Sequence, residues 1–177
     1  AQIFVVDLRR SLLGDVPDDY LNAYLTTAEQ AEAAMAGLAG ILRGRLPGPD
    51  VTTEQLRTRT WWSGPEAWVV VDDYDLVVSS TGNPLAPLVP FLAQARDVGL
   101  HVVLARRSGG AGRAMYEPVL QALRDLAAPG LVLSGSPDEG ALIGGVRPEP
   151  AVPGRARFVT RDAGRQVVQL AYQPSHA

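Results

Sequence analysis

The chain holds 177 residues, enough for one compact domain with a substantial core and too few for two comfortable ones. Hydrophobic residues make up 46% and charged residues 20%, with 18 glycines and 14 prolines, a balance that excludes a disordered or collagen-like chain. The 16 basic residues are outnumbered by 19 acids, and the formal charge of -3 provides no global positive field to gather nucleic acid.

Missing residue types remove whole chemistries. Every basic residue is arginine, so the chain offers no Schiff base, no lysine general base and no lysine-bearing phosphate loop of its own. Cysteine is absent, which excludes disulfides, a thiol nucleophile and a thiolate zinc site. His101 and His176 are the two imidazoles, too few for a histidine metal cluster. No apolar run approaches the roughly 20 residues that cross a bilayer, so no membrane insertion is expected. Ala1-Gln2-Ile3-Phe4 lacks an initiator Met and the basic start of a signal peptide, and the chain reads as a soluble piece of something longer.

In chain order, Ile3-Phe4-Val5-Val6 is the first of three unbroken apolar runs, followed by Trp68-Val69-Val70-Val71 and Val102-Val103-Leu104. Such β-branched runs predict strands buried on both faces, as in parallel sheets of α/β proteins. Tyr20, Leu21, Tyr24 and Leu25 lie in a predicted connection and form a candidate surface for a partner's apolar side chains; a hydrophobic staple also accounts for Leu25. Thr27-Ala28-Glu29-Gln30 has capping-box spacing, and Ala31, Ala34, Met35, Leu38, Ile41 and Leu42 predict one helical stripe that ends near Leu46-Pro47-Gly48. A second helix is predicted through Leu88, Val89, Leu92 and Ala95 to a stop at Gly99, and a third from Tyr116 to Ala127. Residues 131–133, 158–160 and 167–170 read as strands, the last two as a hairpin over residues 162–165. Residues 146–155 carry three prolines and predict an extended connection, and the tail from Gln173 is expected to fray.

Ligands of open parallel sheets collect beyond the carboxyl ends of the strands. The three runs lead into Asp7, Arg9 and Arg10, into Asp72 and Asp73, and into Arg106 and Arg107. If the strands lie side by side, these charges share one rim, the composition of a site for a metal-bound polyphosphate. An apolar strand ending in Asp72-Asp73 has the form of a Walker B segment, whose first acid holds Mg²⁺ and whose second orients an attacking water. The same residues also fit an acidic turn solvated at a strand end. Asp stands where an active ATPase commonly has Glu, which withdraws the carboxylate by about 1.5 Å. Ser108-Gly109-Gly110-Ala111-Gly112 matches no phosphate-loop pattern and reads better as a mobile loop, and His101 as a structural histidine.

Trp61-Trp62-Ser63-Gly64-Pro65, the Walker B-like stretch through Val77, the run from Leu92 to Arg107, Gly130-Leu131-Val132-Leu133-Ser134-Gly135 and Pro153-Gly154-Arg155-Ala156-Arg157-Phe158 together resemble the FtsK/SpoIIIE-type ATPases. More narrowly they resemble the C-terminal ATPase module of the EccC motors of bacterial type VII secretion. The resemblance implies an α/β P-loop NTPase fold of the RecA/FtsK kind: a three-layer sandwich around a mainly parallel sheet, with a C-terminal hairpin. Residues 1–177 would form a single module, the third of a tandem array, with the phosphate loop and its strand upstream of Ile3.

The implied setting is the cytoplasmic, inner face of a membrane secretion complex, with neighbouring ATPase modules assembled as a hexamer and no nucleic acid as partner. The implied ligand is the C-terminal signal of WxG-type helical-hairpin substrates, and the implied cofactors are ATP and Mg²⁺ at a site the family often leaves degenerate. Residue by residue, Asp72 matches the Mg²⁺ position and Asp73 the catalytic acid. Arg106, with Arg107, stands where active motors carry a Thr-Gln pair, and joins them as a nucleotide-binding candidate. The expected function is substrate recognition and assembly with little turnover; the competing class is an active ATP-driven translocase of protein or DNA.

Overall fold

A computed structural model describes residues 1–78 and 82–171; the tail from Gln173 lies outside the described residues. The chain divides into two compact units, Ala1–Arg106 and Arg107–Ala177.

The first unit contains β1 (Gln2–Val6), β2 (Leu21–Leu25), α1 (Ala28–Gly44), α2 (Thr53–Thr58), β3 (Ala67–Val71), α3 (Tyr74–Val77), a 3₁₀ segment (Ala86–Gln94), α4 (Ala95–Val98) and β4 (Leu100–Leu104). Its four strands form one parallel sheet in the order β2-β1-β3-β4. The three apolar runs are therefore neighbours in register, with Val6 opposite Val71 and Val71 opposite Leu104. Val5, Val6, Val69 and Val71 are essentially inaccessible, as expected of strands that need no polar face. The expectation fails for the third run, where Val103 is 48% exposed because β4 stands at the end of the sheet among the described residues.

The fourth strand was not expected. Residues 21–25, predicted as a connection, pair in parallel with β1, and a register shift between Ile3 and Phe4 accommodates them. Leu-Asn-Ala-Tyr-Leu has neither an unbroken apolar run nor clean alternation, so no period exposed it.

Helix α1 forms as its cap predicts: the Thr27 hydroxyl accepts from the Gln30 N–H, and the Gln30 side chain accepts from the Thr26 N–H. The buried stripe is Ala31, Met35, Leu38, Ala39 and Leu42. Ile41, placed on that stripe from sequence, is 55% exposed because 31, 35, 38 and 42 set the seam one position away. The predicted second helix is a 3₁₀ segment that becomes α-helical only at Ala95: Pro90 within it lacks the N–H an α-helix requires. Gly99 closes it in the left-handed conformation, φ 69°.

Three residues lock the end of α1 to the entrance of the sheet. Arg45, largely buried, donates to the carbonyls of Val98 and Pro65 and lies 4.3 Å from the Trp62 ring centroid. The indole N–H groups of Trp61 and Trp62 donate to the carbonyls of Arg45 and Asp97.

The second unit holds α5 (Ala111–Ala114), α6 (Pro118–Asp125) and the antiparallel strands β5 (Gly130–Val132), β6 (Arg155–Thr160) and β7 (Gly164–Gln169), ordered β5-β6-β7. The β6–β7 hairpin is the one expected. Helix α6 is shorter than predicted, since Glu117 caps it and Pro118 takes its first position; Tyr116, outside it, is 75% exposed. Val132, Val146 and Val159 with Leu142 and Ile143 form this unit's small core.

A Cβ at residue 99 would sit 2.6 Å from the Trp62 ring. Gly99→Ala should therefore lower the unfolding free energy by about 2 kcal/mol, from left-handed strain plus the clash. In a Trp62→Ala background that cost should fall by about half, a coupling that urea unfolding of the four proteins of the cycle will measure.

Candidate functional site

The carboxyl edge of the parallel sheet is where the predicted charges meet. Backbone hydrogen bonds continue one residue past each strand: the Asp7 N–H donates to the Leu25 carbonyl, Asp72 to Val6, and Ala105 to Val71. Asp7, Asp72 and Ala105 thus stand abreast, and Asp73 and Arg106 follow at the next step. The shared rim expected from three co-directional strands is present.

Asp7 organises it. Asp7 is 1% exposed, and its carboxylate accepts from the N–H groups of Leu12 at 2.7 Å and Arg9 at 3.0 Å and from the Tyr24 hydroxyl at 2.5 Å, with the Ser11 hydroxyl oxygen 3.3 Å away. Burial alone would raise its pKa; the donors from Leu12, Tyr24, Arg9 and Arg10 outweigh it and hold the carboxyl below the usual value of 3.8. Tyr24 responds in the opposite sense: burial, then the Asp7 carboxylate, pushes its phenol up from 10 to about 12.

The turn that wraps Asp7 also reaches the Walker B-like pair. The Ser11 hydroxyl donates to Asp72 at 2.6 Å, and the Arg9 guanidinium lies 3.3 Å from the Asp73 carboxylate. Asp73 sits left-handed at φ 44°, a conformation that costs a non-glycine residue about 1 kcal/mol, and that bend starts α3. Both acids of the pair are thereby engaged by their own chain. Among the described residues no three acidic or histidine groups converge as a metal cluster. The Arg9 guanidinium, an exposed side chain, supplies a positive charge beside Asp73. Arg106 is half-buried at the exit of β4.

Of the four residues proposed as an apolar docking surface, Leu25 is in the core and the Tyr24 hydroxyl is committed to Asp7. Tyr20 is 53% exposed and Leu21 half-buried. Ser11 and the role of Tyr24 escaped the sequence reading. Recognising β2 as a strand would have placed Tyr24 opposite Val5, two residues from Asp7.

The glycine loop is filled rather than open. The N–H groups of Gly110 and Gly112 donate to the Glu139 carboxylate at 2.7 and 3.1 Å, which takes the place an anion would occupy. A Cβ on residue 112 would collide with the Glu139 carbonyl, which accounts for that glycine. His101 stacks on Trp68 with centroids 4.0 Å apart and planes 9° from parallel, its Nε2 3.1 Å from Glu66. It lies at the opposite end of β4 from the acids, as a structural histidine. No helix among the described residues is long and apolar enough to cross a membrane.

No protein-family model matches the chain. It is 51% identical over 174 residues to the ESX-4 secretion system protein EccC4 of Mycobacterium tuberculosis, a match covering 98% of this chain and 14% of that protein. It is 46% identical over 175 residues to the ESX secretion system protein EccC of Thermomonospora curvata, covering 99% of this chain and 13% of that protein. The chain thus spans about a seventh of the length of these curated relatives. Among solved structures, Thermomonospora curvata EccC, ATPases 2 and 3 in complex with a signal sequence peptide, matches with a TM-score of 0.93 at 45% identity, over 98% of this chain and 31% of that one.

Above the ordinary carboxyl value the Asp7 interactions contribute fully to stability, and the contribution disappears as the pH falls through the depressed folded value. Asp7→Ala should cost about 3 kcal/mol at pH 7, by leaving buried donors unmatched, and urea unfolding should show the difference narrowing below pH 4. For Tyr24 the sign reverses: its contribution holds below pH 10 and is lost as the pH rises through about 12. Phenolate absorbance of the protein minus that of Tyr24→Phe should isolate one late-titrating tyrosine.

Proposed function

Since the chain belongs to the EccC branch of the FtsK/SpoIIIE-type ATPases, with their α/β P-loop NTPase fold, we propose that it is a substrate-recognition and assembly module whose own nucleotide site is degenerate. In this reading residues 1–177 act as one ATPase-fold module, the third of a tandem array, at the cytoplasmic face of a type VII secretion complex. It captures the C-terminal signal of small WxG-type helical-hairpin substrates and packs with neighbouring modules in a hexamer.

The observation that carries the degenerate-site half is the engagement of Asp72 by Ser11 and of Asp73 by Arg9. In this reading Asp72 would meet Mg²⁺, Asp73 would be the catalytic acid and Arg106 would contact the nucleotide. A nucleotide-bound metal would have to displace two interactions already made. Support for the recognition half is that a 45% identical EccC was solved with a signal sequence peptide. Of the four residues singled out for tail capture, Tyr20 and Leu21 present surface, and Tyr24 and Leu25 would support them from the strand behind.

Energetics set the expected affinity. Two apolar anchors contribute about 1.5–3 kcal/mol each, and association and ordering of a disordered tail consume much of that. A lone tail binds weakly, and several presented together bind usefully.

Titration calorimetry on the chain will test both halves. A substrate C-terminal signal peptide should bind with a dissociation constant on the order of 0.1 mM, whereas Mg²⁺-ATP should give no saturable heat even when the chain is extended through the phosphate-loop segment expected before Ile3. Absence of peptide heat at millimolar concentration removes the recognition reading. ATP turnover that is abolished by Asp73→Ala would instead establish the active translocase.

A further inference from the structure

The second unit carries two grooves that differ in charge. One, of about 240 Å³ along β6 and β7, is lined by Arg147, Arg155 and Arg157, but Glu149 lines it too and lies 3.9 Å from Arg157. The other, of about 370 Å³, opens between the end of α6, residues 142–145 and the β6–β7 turn. Arg124, Arg161 and Arg165 line it, and no acidic residue does; Asp125 and Asp162, their neighbours along the chain, are outside the lining.

The floor of this second groove is aliphatic. Buried Val159 and half-buried Leu142 and Ile143 belong to the unit's small core, so an aliphatic group that enters the groove extends that core. The mouth is basic. The Arg165 guanidinium donates to the Gly144 carbonyl at 2.6 Å and that of Arg161 to the Leu126 carbonyl at 3.2 Å. Neutral acceptors orient these two heads without cancelling their charge, and each retains further N–H donors. Arg124 lies 5.7 Å from the Tyr116 ring centroid and has a long contact of 3.7 Å with Asp125. Between floor and mouth, Gly144 and Gly145 are left-handed at φ 57° and 74°; a Cβ on the first would collide with Val159, and one on the second would stand 3.1 Å from the Arg165 guanidinium.

An aliphatic floor beneath three cations selects a ligand that joins a carboxylate to an aliphatic group over a short distance. The last residue of a polypeptide meets that condition in the least space, since its carboxylate is bonded to the Cα that carries the side chain. We propose that this groove takes the C-terminus of a peptide, with the terminal carboxylate among Arg124, Arg161 and Arg165 and the last, aliphatic side chain on Leu142, Ile143 and Val159. The proposal rests on the recognition reading above and deepens it by naming a subsite for the end of the tail. It does not require Tyr20 and Leu21 to meet the same peptide residues.

Titration calorimetry with one synthetic probe in two forms provides the test: a substrate signal peptide finished with a C-terminal leucine, made as the free acid and as the amide. The free acid should bind the 177-residue chain about tenfold more tightly than the amide. Raising the salt to about 500 mM should narrow that difference. Arg161 and Arg165 also bond backbone carbonyls, so Arg124→Gln is the variant that alters the mouth with least disturbance of the fold. It should weaken the free acid and leave the amide unchanged. Equal affinity of the two forms, or a free acid indifferent to Arg124→Gln, overturns the terminal subsite while the recognition reading stands. If neither form binds at millimolar concentration, the recognition reading falls and the subsite with it.

Discussion

A carboxylate removed from water at the end of a buried strand survives only if the chain supplies the hydrogen bonds that water would have made. Asp7 obtains them from the turn that follows it and from Tyr24 of the next strand. One charge thereby dictates the path of residues 8–12, the attachment of β2 to β1, and the positions of Ser11 and Arg9. Those two side chains then reach sideways to Asp72 and Asp73. The rim is a single hydrogen-bonded unit with its anchor in the core, so the acids that resemble an ATPase pair are held by the scaffold.

A motor needs carboxylates whose partners arrive with the nucleotide, so that binding and hydrolysis alter the protein. Here the Ser11 hydroxyl and the Arg9 guanidinium of the same unit already meet Asp72 and Asp73, and the proposal of a degenerate site rests on that engagement.

The buried strands were legible in the sequence because unbroken β-branched runs have few alternative explanations. Thr27 and Gln30 marked the start of α1 for an equally local reason. Legibility ended where tertiary context decides. Leu-Asn-Ala-Tyr-Leu becomes a strand because β1 has an open edge beside it and Tyr24 has a carboxylate to meet, and neither fact is local. Pro90 was visible, yet its effect, a 3₁₀ path in place of an α-helix, depends on the packing of Leu88, Phe91 and Leu92. At the rim, Asp72, Asp73 and Arg106 were identified by position along the chain, while Ser11 and Arg9 acquire meaning only when two strand ends lie side by side.

The glycine loop of the second unit carries a further consequence. Its amides grip a carboxylate from a residue 27 positions downstream, and the backbone beside that carboxylate leaves no room for a side chain at Gly112. Loop and glutamate form an internal lock and key. Shortening Glu139 would vacate the cradle without widening it, and enlarging Gly112 would expel its occupant. Converting this segment into a receptor for a free anion thus demands coordinated changes at distant points of the chain, and isolated substitutions lead only to damaged intermediates.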